Sequence, residues 1–167
     1  TTAKGAPPAL VGMKEIAFFN DNVFSMGETP SANTKSNARA LAKVAAMMSA
    51  GGKWEGAELI NPQGWAALHD DPIERNMAFM GTTFTQGGVN LFSHRDASSA
   101  KDDIAFNNGR EGFFGWMGLG GSIFQWNPEH RIGFGYVPTS LYVLDFLNER
   151  GKAYQGEVLA CVERINN

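Results

Sequence analysis

Cysteine is nearly absent: Cys161 stands alone in 167 residues, which excludes an internal disulfide. It falls in a helical pattern, where a small apolar core residue is expected, with an intermolecular bridge as the alternative. No apolar run approaches the roughly 18 residues that suggest a membrane span. Basic runs are missing too. Fourteen Lys and Arg against seventeen Asp and Glu give a net charge of −3, with no footprint for nucleic acid. No Asn-x-Ser/Thr sequon occurs, and no tyrosine precedes Tyr136. The three histidines, His69, His94 and His130, lie far apart. None has neighbours at metal-ligand spacing, so no metal and no cofactor is expected. The acidic pairs Asp70-Asp71 and Asp102-Asp103 read as loop residues without a cage for calcium. The chain opens at Thr1 without an initiator Met and without a signal segment. The expectation is a processed product, a fragment, or one chain of a cleaved precursor, soluble and either cytoplasmic or secreted.

What is present concentrates between Phe113 and Val137. Apolar stretches Gly121–Trp126 and Arg131–Val137 read as two strands of a hairpin. Asn127-Pro128-Glu129-His130 supplies the turn, because proline fixes φ and cannot donate to a ladder. Glycine is dense from Gly115 to Gly121, just before the first strand, where the backbone can approach a ligand or another chain. These features together have the character of an active-site edge.

Elsewhere the pattern is mixed. Residues 1–33 carry Pro7-Pro8, a short apolar run at Ile16–Phe19 and polar Asn20-Asp21-Asn22, and read as a connecting arm. Ser36 offers an N-cap, and Ala38, Leu41, Ala42, Ala45 and Met48 share one helical face that Gly51-Gly52 terminates. The many alanines make that face flat and predict close packing against another helix. An extended piece and turn at Glu58–Gln63 precede a helix over Gln63–His69. Phe79–Phe84 and Gly88–Phe92 suggest strands, and Asn107-Asn108-Gly109 a turn. From Thr139 to about Ile165 the spacing is helical through Leu141, Leu144, Leu147 or Asn148, Tyr154, Val158, Cys161, Val162 and Ile165, with a break or bend at Gly151. Trp54, Trp65, Trp116 and Trp126 read as packing residues.

Two blocks carry a family resemblance. Gly115 to Ser122, followed by the Asn-Pro-Glu turn and Gly133-Phe-Gly-Tyr-Val137, resembles the C-terminal half of the β-lactamase-related serine hydrolases. These include class C-like esterases, D-aminopeptidases and animal β-lactamase domain-containing proteins. Pro30-Ser-Ala-Asn33 and Ser36-Asn-Ala-Arg-Ala-Leu-Ala-Lys43 resemble that family's loop and following helix. The resemblance covers most of residues 18–165. It implies an α+β fold, the C-terminal part of a β-lactamase/transpeptidase-like domain. An antiparallel sheet is flanked by helices and a C-terminal helix lies on it. Residues 34–167 would form that part, incomplete without an N-terminal half.

The resemblance also implies where chemistry would sit. The family's Lys-Thr-Gly or His-Thr-Gly strand corresponds to Trp116-Met117-Gly118. Gly118 and the Leu119 backbone N–H would form the oxyanion side, and Trp116, Met117 and Gly120 the substrate wall. The polar side chains are replaced, so recognition of a β-lactam carboxylate is not expected. The Ser-x-x-Lys nucleophile and Tyr-x-Asn motifs of the family lie N-terminal to the matched region. The literal Ser98-Ser-Ala-Lys101 reads as a solvated loop, without the buried helix that would desolvate its lysine. Two functions follow. In one, the chain is part of a serine hydrolase acting on esters, amides or small peptides through an acyl-enzyme, with the N-terminal half as a tightly bound partner. In the other it is a non-catalytic binding or structural protein on the same fold, and a homo-oligomer is an alternative assembly.

Overall fold

A computed structural model describes residues 21–27, 34–77, 80–142 and 145–166. The chain divides into two compact units, residues 1–36 and 37–167. The described part of the first holds one short helix, α1 (Asn22–Met26), started by Asp21, whose carboxylate accepts the Val23 N–H at 2.8 Å. The expected loop Pro30–Asn33 lies outside the described residues.

The second unit runs α2 (Ala38–Ser49), β1 (Lys53–Trp54), β2 (Ala57–Glu58), α3 (Pro62–His69), β3 (Ile73–Met77), β4 (Met80–Phe84), β5 (Asn90–Leu91), α4 (Lys101–Asn107), β6 (Phe114–Met117), β7 (Ile123–Asn127), β8 (Ile132–Tyr136) and α5 (Glu149–Asn166). Strands β3 to β8 form one antiparallel sheet in sequence order, and β1 pairs with β2 apart from it. This is the α+β arrangement expected, with the C-terminal helix on the sheet.

Local chemistry explains most boundaries. The cap of α2 is Asn37, not Ser36; its Oδ1 accepts the Ala40 N–H at 3.0 Å. Asn is as good a cap as Ser and stands one residue nearer the first helical turn. Asn61 caps α3 in the same way, with Pro62 at the first helical position, where its missing N–H costs nothing. The turn between β7 and β8 is tied by the His130 N–H donating to Asn127 Oδ1 at 3.0 Å.

Two aromatic-rich layers enclose the sheet. On one side Trp126, Phe124 and Phe114 meet Ala45 and Met48 of α2 and Trp65 and Leu68 of α3. On the other, Ile123, Ile132, Phe134 and Tyr136 meet Leu159 and Val162 of α5 and Phe106 of α4. The alanine face of α2 packs closely, as expected, but against this chain's own sheet rather than another helix. The contact is backbone on backbone. A Cβ on Gly135 would stand 2.7 Å from Ala38 O and from Ala42 N, and one on Gly133 would run into Ala46 N.

Three further expectations are corrected. The segment after Thr139 is not helical until Glu149; Leu144 lies outside the described residues. Gly151 does not break the helix. It sits inside α5, where a Cβ would meet Ile123 Cδ1 at 2.5 Å, so its missing side chain lets the helix settle on the sheet. Cys161 is exposed rather than in the core. Gln155, Leu159 and Val162 face the sheet, and Cys161 falls on the outward stripe with Tyr154, Val158 and Ile165.

The glycine contacts separate two opposite outcomes. Gly133→Ala should lower unfolding stability by about 1–3 kcal/mol, because backbone atoms must move. Gly156→Ala, inside α5 with nothing within 4 Å of the added Cβ, should raise it by up to about 1 kcal/mol. Urea unfolding midpoints of the two variants check both signs.

Candidate active-site edge

Pairing with β7 fixes how β6 presents its backbone. Met117 stands opposite Ile123 and Trp116 opposite Phe124, and the Gly118 N–H donates to Ser122 O at 2.7 Å. N–H groups alternate along a strand, so residues 114, 116 and 118 face β7 and residues 115, 117 and 119 face the other edge. On that edge β5 reaches only as far as Gly115, through Asn90. The main chain of Met117 and Leu119 thus looks out from an edge that no strand covers among the described residues. Among the described residues no hydrogen bond engages the Leu119 N–H, and Leu119 is 47% exposed.

The loop after β6 is built to hold this geometry. The Gly121 N–H donates to Gly118 O at 3.2 Å. In a trans peptide the N–H points opposite to the C=O, so a Gly118 carbonyl turned into the loop aims the Leu119 N–H out of it. Gly120 has φ +93, open to glycine and strained for other residues. Its carbonyl accepts from the Tyr142 N–H and from Arg150 Nη2, each at 3.1 Å. Asn148 faces the carbonyls of Gly121 and Ser122, which only the nitrogen end of its amide satisfies, at 3.2 and 3.1 Å.

The expected site residues divide in use. Gly118 and Gly120 are loop anchors, and Leu119 carries the free donor. Trp116 is half-buried, its ring 5.1 Å from that of Phe84 and 5.9 Å from that of Phe106. The Met117 side chain is buried in the core, so it offers a ligand only main chain. Tyr142, Asn148 and Arg150 were not expected here. They follow the glycine loop by more than twenty residues, and no motif marks them.

No family model matches the sequence, and no curated protein does. Solved structures do match. A family VIII carboxylesterase superimposes with TM-score 0.64 and 24% identity, over 87% of this chain and 38% of that one. A novel penicillin-binding protein homolog from Caulobacter crescentus gives TM-score 0.59 and 21% identity, over 87% and 36%. The chain has the C-terminal part of a β-lactamase/transpeptidase-like fold. It spans little more than a third of either neighbour.

Within this β-lactamase-like part, the other candidate residues are structural. Ser98 lies in an exposed turn with its hydroxyl on Asp96, and Lys101 opens α4 in solvent. Asp102 and Asp103 are not loop residues. They occupy the first turn of α4, where carboxylates suit the helix dipole, and Asp103 pairs with Arg95 at 3.2 Å. Arg110 is fully buried and donates to Phe106 O at 2.9 Å and Leu147 O at 2.7 Å. Burial lowers its pKa to about 10, still charged at neutral pH. No group of three or more His, Cys, Asp or Glu could hold a metal among the described residues. No helix there is long and apolar enough to cross a membrane.

His69, isolated in the sequence, is a core junction in the fold. Trp126 Nε1–H donates to His69 Nε2 at 2.9 Å, and His69 Nδ1 lies 2.6 Å from Trp65 O. An indole N–H can only donate, so Nε2 is the acceptor and Nδ1 carries the proton to Trp65. Desolvation lowers the pKa of this ring from 6.5. The unfolded chain then binds the proton at a higher pH than the folded one. Stability should be flat in this respect above about pH 6.5 and decline as pH falls below it, by up to about 1.4 kcal/mol per unit. His69→Gln should remove that part of the decline, as unfolding midpoints at stepped pH would show.

Proposed function

We propose that this chain is the C-terminal portion of a serine hydrolase of the β-lactamase-related family, cleaving esters, amides or small peptides through an acyl-enzyme. The observation that supports it most is the Leu119 N–H, unbonded and held outward on the open edge of β6, within a β-lactamase-like fold. A donor so placed can stabilise the oxyanion of a tetrahedral intermediate without reorganising. The nucleophilic Ser-x-x-Lys and the Tyr-x-Asn group would come from an N-terminal portion, present as a tightly bound partner. Supporting this are the small share of the solved neighbours that the chain spans and the edge strand β8, which has no second partner among the described residues. An unpaired strand edge is a ready template for another strand.

One observation favours a second reading, a pseudo-enzyme that binds without reacting. Trp116 and Met117 replace the polar pair of the resembled motif, and both side chains turn to aromatic or core packing. Intact mass under native and denaturing conditions, with a fluorophosphonate probe, separates the two. A companion carrying Ser-x-x-Lys and taking up the probe supports the hydrolase; unlabelled material supports the pseudo-enzyme. In labelled material, Leu119→Pro deletes the N–H and should cut kcat by about 10²–10³. Leu119→Ala keeps the N–H and should stay within a few-fold of wild type in steady-state ester hydrolysis.

A further inference from the structure

We propose that Arg150 is a positioning residue for the oxyanion donor, acting through the Gly120 carbonyl rather than on substrate. This rests on reading the Leu119 N–H as that donor. The guanidinium spans two chain segments: Nη2 donates to Gly120 O and Nη1 to Ser140 O, each at 3.1 Å. Its Nε lies 3.5 Å from Asp145 Oδ2. Asp145 in turn accepts the Glu149 N–H at 2.7 Å, so the cation is anchored to the start of α5. With Gly120 O fixed, the Gly121 N–H that shares its peptide plane stays on Gly118 O. That bond turns the Gly118–Leu119 peptide so that the Leu119 N–H faces outward. The planar fork of arginine suits two carbonyls in a fixed geometry, which a lysine ammonium cannot reproduce.

The chain of contacts is continuous from α5 to the loop. A Cβ on Gly121 would stand 3.0 Å from Arg150 Nη2, so the guanidinium already lies against the loop backbone. The Arg150 guanidinium carbon also lies 5.9 Å from the centre of the Tyr142 ring, and the Tyr142 N–H bonds the same Gly120 carbonyl. Removing the side chain deletes two hydrogen bonds and an ion pair from one short loop and leaves the sheet registers intact.

The test uses the natively isolated protein with whatever chain accompanies it. Hydrogen exchange is followed at the Gly118, Gly121 and Tyr142 amides in Arg150→Ala, Arg150→Lys and the control Lys152→Ala. Lys152 lies on the same helical turn but bonds Ala105 O and Glu149. Exchange at the three amides should rise roughly tenfold or more in Arg150→Ala and less in Arg150→Lys, with β7 and β8 unchanged. The control should match wild type. Loop exchange within twofold of wild type in Arg150→Ala, or a rise spread evenly over the sheet, overturns the brace. In ester turnover, kcat should fall about tenfold with KM within twofold. A raised KM at constant kcat would instead place Arg150 on substrate and sink the proposal. Should the wild type take up no fluorophosphonate, the hydrolase reading fails, and the exchange result still decides whether Arg150 holds the loop.

Discussion

The spacing of the three layers rests on positions where a side chain is missing. Gly133 and Gly135 bring the backbone of β8 against the backbone of α2, and Gly151 lets α5 down onto Ile123 and Tyr136. Each contact leaves less than one methyl group of room. Because β8 is clamped by α2 on one face and faces α5 on the other, β7 inherits a fixed position through its ladder with β8. β6 inherits its own through β7. Which amides of β6 turn outward then follows from parity alone. The open edge at residues 117 and 119 is thus a remote result of glycine placement two strands away.

A second layer of control is polar and almost wholly main-chain in its targets. Arg110 holds Leu147 O, Asn148 holds the carbonyls of Gly121 and Ser122, and Arg150 holds Gly120 O. Three side chains thereby connect the end of α4, the start of α5 and the loop after β6. Buried donors left without acceptors would each cost about 1–3 kcal/mol. Carbonyls at a loop that lacks regular pairing are natural acceptors for them. The charged groups shape backbone, and the outward Leu119 N–H is left as an uncharged donor.

The parts of this fold that could be read from the sequence are those written in local pattern. The hairpin over residues 121–137 announced itself through β-branched and aromatic runs around Asn127-Pro128, and α2 through its alanine face. The helix over Gln63–His69 was legible because Asn61-Pro62 punctuates it. The failures have physical causes. Strand β3 is short and exposed along its length, so no alternation of buried and open positions marks it. The seven-residue helix α4 is polar at its start and hidden beside Asp-rich sequence. Apolar residues at Leu141 and Leu147 mimic a helical period although the chain there is irregular. Cys161 shares a stripe with Tyr154, Val158 and Ile165 that has the apolar spacing of a core face, yet the stripe is exposed. Of the site, the glycine loop was legible and its braces were not, since Asn148 and Arg150 reach it through space.

His69 lies with its ring 3.9 Å from that of Trp65, stacked, and accepts the N–H of Trp126. Half of the four tryptophans in the chain therefore share a single imidazole as neighbour. A charged imidazole is a better electron acceptor for an excited indole than a neutral one, so the ultraviolet emission of this core is an optical gauge of one proton. The same light that reports whether the protein is folded also carries the charge state of a group that solvent scarcely touches.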